Sequence, residues 1–245
     1  MNMIQPNCRV QFSAEDVAFI VATIGGGRSE QECLTALLAD QDSRDQILDD
    51  PRLMQALLEQ RGCLRVSSRL YFYVLVRQVF LRSGIDNRVV TDYVAELLAE
   101  FSRTQRLRCA VAGQEQPCDY FFEMLAALRR ADDRTNFLIR AHMGNCSLFL
   151  CGVFPDRIRF RAESRGFPDL GYYEQLGRSA FRVASDHRLA RRCELAEVYA
   201  ALAERFRDTR LALNDLSERL LSIGEAGHAL DALLIKATGA GPQSN

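Results

Sequence analysis

The chain has 245 residues, 48% of them apolar and 26% charged, with a formal net charge of −1. A chain of this length buries about 70–75% of the surface its unfolded form exposes, so its core needs no disulfide or structural metal, and this composition excludes a disordered protein. The near-zero charge selects no partner by global electrostatics, and the longest apolar run falls well short of the roughly 18–20 residues that span a bilayer.

Taken in chain order, Val10 and Phe12 alternate with polar neighbours and predict a short extended lead-in. Ser13 stands three residues before Asp16, a near capping box, and predicts a first helix over Val17 to Ile24 that Gly25, Gly26 and Gly27 end. Ser29 and Glu32 form a capping box for a second helix carrying Leu34, Leu37 and Leu38; a short turn of helix holds Ile47 and Leu48; and Asp50 with Pro51 opens another. Ser67 or Ser68 begins a buried helix that Gly84 closes, and Asp86 caps an amphipathic one through Phe101. Residues 103–116 read as a loop, and Pro117 starts a helix that leads into the stretch from Asp132 to Pro155.

That stretch organises the chain. It opens on capping side chains, is apolar on nearly every side from Cys146 to Phe154, and ends where Pro155 stops it, so it predicts a buried central helix over 132–154. Pro168 and Asp169 open a helix to about Ser185. Tyr199, Phe206, Leu213 and Leu220 recur every seven residues and interleave with Leu195, Leu202, Thr209, Leu216 and Ile223. This spacing predicts one long heptad-patterned helix within 190–223, serving as an internal wall or as a seam for a homo-oligomer. A short apolar helix follows around Leu230 to Ile235, and residues 239–245 form a disordered tail. The fold expectation is an all-α bundle of about ten helices, one domain over 1–238 or two packed lobes, 1–104 and 117–238.

Eight cysteines, scattered without a Cys-x-x-Cys pair and several of them on apolar faces, point to a reducing compartment. With no signal-peptide pattern at the N-terminus, the expected location is the cytoplasm. Of the 31 basic residues only Lys236 is lysine, which fits a GC-rich bacterial coding genome.

The motifs that carry chemistry are sparse. Gly25 to Gly27 before a helix suggests an anion loop but lacks the P-loop ending. His142 and Cys146, four apart on one helix face, can share a metal if Cys151 or His187 joins them. Glu225 and His228 form a single Glu-x-x-His, too few for a di-iron site. Asp186 and His187 with a distant cysteine sketch a thiol hydrolase. None of these implies a cofactor or bound metal. Between residues 157 and 192, nine arginines face four acids with aromatic residues interleaved, and Arg157, Arg159, Arg161, Arg165, Arg178 and Arg182 mark a candidate partner or nucleic-acid surface. Residues 1–60 carry ten acids against four arginines and are the natural internal or partner complement.

The strings Met143 to Pro155 and Gly171 to Ser179 resemble segments of uncharacterised, helical bacterial proteins. The resemblance covers about the middle third of the chain and implies a helical fold and no activity. The functional expectation is a non-enzymatic protein-interaction or regulatory module. Its alternatives are a nucleic-acid-binding protein using 157–192 and a thiol- or metal-dependent enzyme.

Overall fold

The computed structural model describes residues 3–59, 66–102 and 121–222. Among them are thirteen α-helices and no strand, an all-α multi-helix bundle. The chain divides into two compact units, Pro6–Ala99 and, with the first five residues, Glu100–Asn245.

In the N-terminal unit the predicted extended lead-in is a 3-10 turn, Arg9–Gln11. Its path follows the Arg9 side chain, which reaches Asp45 and Asp92. Helix α1 (Ala14–Ile24) starts three residues before the predicted position, because Ser13 and Asp16 complete a full capping box. Helix α2 (Arg28–Leu37) is capped by Gly27 without a side-chain bond, so the expected Ser29–Glu32 box is replaced by Glu30 accepting from the Gly26 amide. Next come α3 (Gln41–Leu48), capped by Asp40, α4 (Pro51–Glu59) behind Asp50, and α5 (Ser68–Arg82), capped by Ser67. Asn87, not Asp86, caps α6 (Arg88–Phe101), because Asp86 is drawn to Arg77.

The C-terminal unit is built around α8 (Asp133–Val153), capped by Asp132 and buried along most of its length from Phe137 to Gly152. Helix α7 (Phe121–Leu128) precedes it, and Pro155 does not end the helical path but occupies the first position of α9 (Pro155–Arg165), which leaves α8 at 93°. Proline has no N–H to give to the Cys151 carbonyl one turn back. Asn214 supplies the missing donor: its amide donates to the Cys151 and Gly152 carbonyls at 2.8 and 2.7 Å, and the Ser217 hydroxyl donates to the Val153 carbonyl. The last carbonyls of the central helix are thereby satisfied by side chains.

Helix α10 (Leu170–Asp186), capped by Asp169, packs on α8 through small residues: Gly144 admits the Phe181 ring, and Gly177 meets Ser147 of α8 and Phe206. After α11 (Arg188–Arg192), the long wall predicted within 190–223 is two helices, α12 (Ala196–Glu204) and α13 (Phe206–Ser222), parted at Arg205. No glycine or proline marks that break. Packing makes it, since α12 lies chiefly against α10 and α13 chiefly against α8. The heptad residues Tyr199, Leu202, Phe206, Leu213 and Leu216 are buried at 0–3% exposure and form an internal wall of the unit. No single helix among the described residues is long and apolar enough to cross a membrane. The predicted loop at 103–116, the helix near 230 and the tail lie outside the described residues.

Candidate docking face

Helices α9 and α10 hold the six predicted surface arginines. Gly166 adopts the left-handed conformation that glycine favours (φ 65°) and ends α9, folding Phe167 back so that its ring lies 4.2 Å below the Arg161 guanidinium. Tyr173, half-buried on α10, sits within the field of Arg161 and meets the rings of Tyr172 at 5.5 Å and Phe121 at 5.3 Å. Burial nonetheless pushes the Tyr173 hydroxyl above its ordinary pKa. These contacts join α7, α9 and α10 into one arginine–aromatic surface.

Its aromatic members are unusually open: Phe160 is 63% exposed, Phe167 and Tyr172 41% each. Arg159 pairs with Asp156 in an exposed i,i+3 contact. Arg157 is partly covered, whereas Arg165, Arg178 and Arg182 are exposed and make no ion pair among the described residues. Arg178 and Arg182, four apart, share one edge of α10. The Arg161–Phe167 stack escaped the sequence reading because α9 itself did; the Gly-Phe pair after an arginine-rich run was the available signal.

The acidic opening of the chain finds its partners inside its own unit. Asp45 takes Arg9 at 2.6 Å, and Asp49 takes both Arg77 and Arg88 at 2.7 Å. Asp16 is spent on the Ser13 and Ser67 caps. Internal pairing therefore removes the buried carboxylates from any role as the arginine stretch's complement.

Among the described residues, the enzyme constellations do not assemble. His142 Nε2 and Cys146 Sγ lie 3.3 Å apart, but both are buried, with the imidazole against the Phe101 ring. Cys151 has other surroundings, Arg210 and Glu174, and burial pushes its thiol up to about 12. His187 is at the opposite end of α8: its Nδ1 accepts from the Leu189 amide, which places the proton on Nε2 to donate to Asp133 at 3.0 Å. Both ring nitrogens thus have hydrogen-bond partners, neither of them a thiol. Asp133, rather than the adjacent Asp186, orients the ring, and Arg188 joins it. Among the described residues no three His, Cys, Asp or Glu side chains form a metal-binding group. The Gly25–Gly27 loop already carries an anion of its own, Glu30, on the Gly26 amide. Glu225 and His228 lie outside the described residues.

This thiol chemistry is checkable. In the native protein an alkylating reagent at pH 8 is expected to label exposed Cys33 and to spare Cys8, Cys146 and Cys151 until denaturant is added, because all three are buried out of its reach and burial also pushes the Cys8 and Cys151 thiols up. Site-resolved mass spectrometry reads this out; rapid native labelling of Cys146 or Cys151 would contradict the inert-core assignment.

Comparison with known proteins returns nothing: no family model, curated protein or solved structure matches the chain. Function must be argued from the residues.

Proposed function

We propose that the chain is a non-enzymatic docking module whose α9–α10 face receives an acidic segment of a protein partner. The observation that carries this is the exposure of Phe160, Phe167 and Tyr172 beside Arg165, Arg178 and Arg182, which are exposed and make no ion pair among the described residues. Arginine and large aromatic side chains dominate the energetics of protein interfaces, where the aromatic ring fills a pocket and the guanidinium forks onto a carboxylate. Nucleic acid is the second candidate, favoured by the same aromatics. It is disfavoured by Asp156, Glu163, Asp169 and Asp186, exposed on the same two helices, which interrupt the run of uncompensated cations that a phosphate backbone rewards.

Fluorescence anisotropy separates the two. A short glutamate- and leucine-rich peptide is expected to bind, to lose about tenfold in affinity between about 0.05 and 0.3 M salt, and to lose binding to the triple variant Arg165→Glu/Arg178→Glu/Arg182→Glu. A single-stranded oligonucleotide binding more tightly than the peptide would replace the protein-partner reading with the nucleic-acid one. Absence of binding to either, or binding unchanged in the triple variant, would remove the face from consideration.

A further inference from the structure

We infer that His187 is a proton-operated clasp between α8 and α11: neutral, it caps α11 while holding Asp133, and once protonated it keeps Asp133 and drops the cap. The device operates whether or not the α9–α10 face docks a partner.

Each ring nitrogen has one task. Nδ1 accepts from the Leu189 amide at 3.1 Å, the bond that caps α11, and Nε2 lies 3.0 Å from Oδ1 of Asp133 at the start of α8. The ring is stacked on Phe137, with 4.9 Å between centroids and 21° between planes, and Phe137 is itself buried in the core. The imidazole is thus held in place from below while its rim, 17% exposed, is open to protons from solvent. Only the neutral imidazole has an acceptor; the imidazolium donates from both nitrogens. Protonation therefore sets Nδ1–H against the Leu189 N–H, donor against donor, and that bond is lost. On the other side Nε2–H already donates, and its bond to Asp133 becomes charge-assisted.

The charges around the ring lie on every element that meets it. From α8 comes Asp133, flanked by exposed Asp132 and Arg134; exposed Asp186 precedes the ring at the end of α10. From α11 come Arg188, whose Nε and Nη2 hold Oδ2 of the same Asp133, and Arg191, which donates to the Asp186 carbonyl. Helix α12 reaches this corner with Tyr199, whose ring centroid is 6.3 Å from that of Phe137. Asp133 and the carbonyl end of α10 favour the imidazolium, while Arg188 and the amide end of α11 oppose it. Because the carboxylate sits on the Nε2 side and the amide on the Nδ1 side, a proton strengthens one end of the clasp and breaks the other. Other helix starts are not built this way. The Ser13 and Ser67 hydroxyls have no charge to gain, and the amides that Asp40 and Asp132 cap hold those carboxyls below their ordinary pKa. Helix α11 is also the element most dependent on its cap, since its five residues are far too few to be helical unaided. What the proton loosens is the start of a segment that holds Arg188, Arg191 and Arg192.

The test is NMR of the full-length protein from about pH 8 to pH 5, the span in which imidazole side chains change charge. Two signals are followed: the ring nitrogens of His187, and the exchange protection of the Leu189 amide relative to an unstructured chain at the same pH. At pH 8 Nδ1 is expected to be bare and Nε2 to carry the proton. As pH falls, Nδ1 gains a proton and Leu189 protection drops about fivefold, the size of one cap, and the two changes share a midpoint. His187→Asn keeps a capping oxygen that does not titrate, and its Leu189 protection is expected to stay constant over the same range, with an unchanged circular dichroism spectrum. Leu189 protection that holds steady while His187 titrates overturns the inference, as does an equal drop in His187→Asn. A proton found on Nδ1 at pH 8, or a His187 ring that does not titrate across the range, also overturns it. The wild-type measurement decides by itself if the variant is unstable.

Discussion

Gly177→Ala is expected to cost the C-terminal unit about 2 kcal/mol, despite replacing a helical glycine with the best helix former. A Cβ built at Gly177 lies 2.6 Å from Cε2 and Cζ of Phe206 and 2.6 Å from Cβ of Ser147. None of these atoms yields easily. Phe206 is 1% exposed and wedged near the Phe181 ring, and the Ser147 Cβ is fixed to the backbone of the central helix. Relieving the overlap means moving α10 off α8, which opens the seam around Phe181 and Tyr199. Overpacking of this kind costs ~1–3 kcal/mol and occasionally more, and the close approach on two sides puts it at the upper end; the propensity gain of about 1 kcal/mol offsets part of it. Urea unfolding should show a lowered midpoint at an unchanged slope. Trimming Phe206 to Leu should make the alanine better tolerated, with a coupling above about 1 kcal/mol in the double-mutant cycle. Gly171→Ala is the control: its nearest foreign atom, Asp169 Oδ1, is 3.5 Å away, an ordinary contact. A neutral or stabilising Gly177→Ala would mean that α8 and α10 do not approach this closely.

This seam also shows where sequence periodicity stops being informative. Capping residues state their own positions: Ser13, Ser67, Asp132 and Asp169 each accept a backbone N–H of the turn they precede. Apolar runs likewise announce burial, and α8 is buried as its composition requires. The break at Arg205 was invisible because heptad spacing continues through it. Tyr199 and Phe206 keep the seven-residue interval, while the backbone between them leaves helical geometry at φ −103°, ψ 27° so that α13 can reach α8. Pro155 was ambiguous for a different reason. Proline stops one helix and starts the next with equal ease, and only the carbonyls satisfied by Asn214 and Ser217 decide which.

The candidate face was partly legible. An arginine-dense stretch interleaved with aromatics is visible in composition; of the arginines singled out from sequence, Arg159, Arg165, Arg178 and Arg182 are exposed, while Arg157 and Arg161 are partly covered. Its geometry was not, because it depends on Gly166 turning Phe167 back over Arg161 and on Tyr173 meeting Phe121 across more than fifty residues. The acidic opening misled in a related way. Charge counted along the chain cannot distinguish Asp45, buried against Arg9, from Asp42, exposed to solvent. Long-range pairing sorts the carboxylates into structural and available ones, and only the second kind can face a partner.

Asp49 belongs to the first kind, and Asp49→Asn is expected to destabilise the N-terminal unit by about 3 kcal/mol at neutral pH. Its carboxylate accepts two hydrogen bonds from Arg77, at 2.7 and 3.0 Å, and two from Arg88, at the same distances. The Arg77 side chain is 1% exposed, and its Nη1 is buried without a hydrogen-bond partner. Without Asp49 its remaining counter-charge is Asp86, itself largely in water. An asparagine keeps the shape and one acceptor but leaves a buried guanidinium undercompensated, and breaking a buried pair from one side costs ~3–5 kcal/mol; the partial exposure of Asp49 sets the lower end. The same pair fixes the pH dependence. Burial alone would raise the Asp49 pKa, but the hydrogen bonds and charges of Arg77 and Arg88 outweigh it and hold the carboxyl below its ordinary value of 3.8. A carboxyl depressed on folding stabilises the folded state above its unfolded pKa, and that stability is lost as pH falls through the folded value. Asp92 runs the other way: burial outweighs its bonds from Arg9 and raises its pKa, so its ionisation weakens the fold as pH rises. Comparing wild type with Asp49→Asn isolates the first effect. The difference in unfolding free energy should be constant above about pH 5 and shrink steadily below about pH 4. A difference that persists undiminished at pH 2.5 would show that the Asp49 charge contributes nothing, and that the asparagine acts through shape alone.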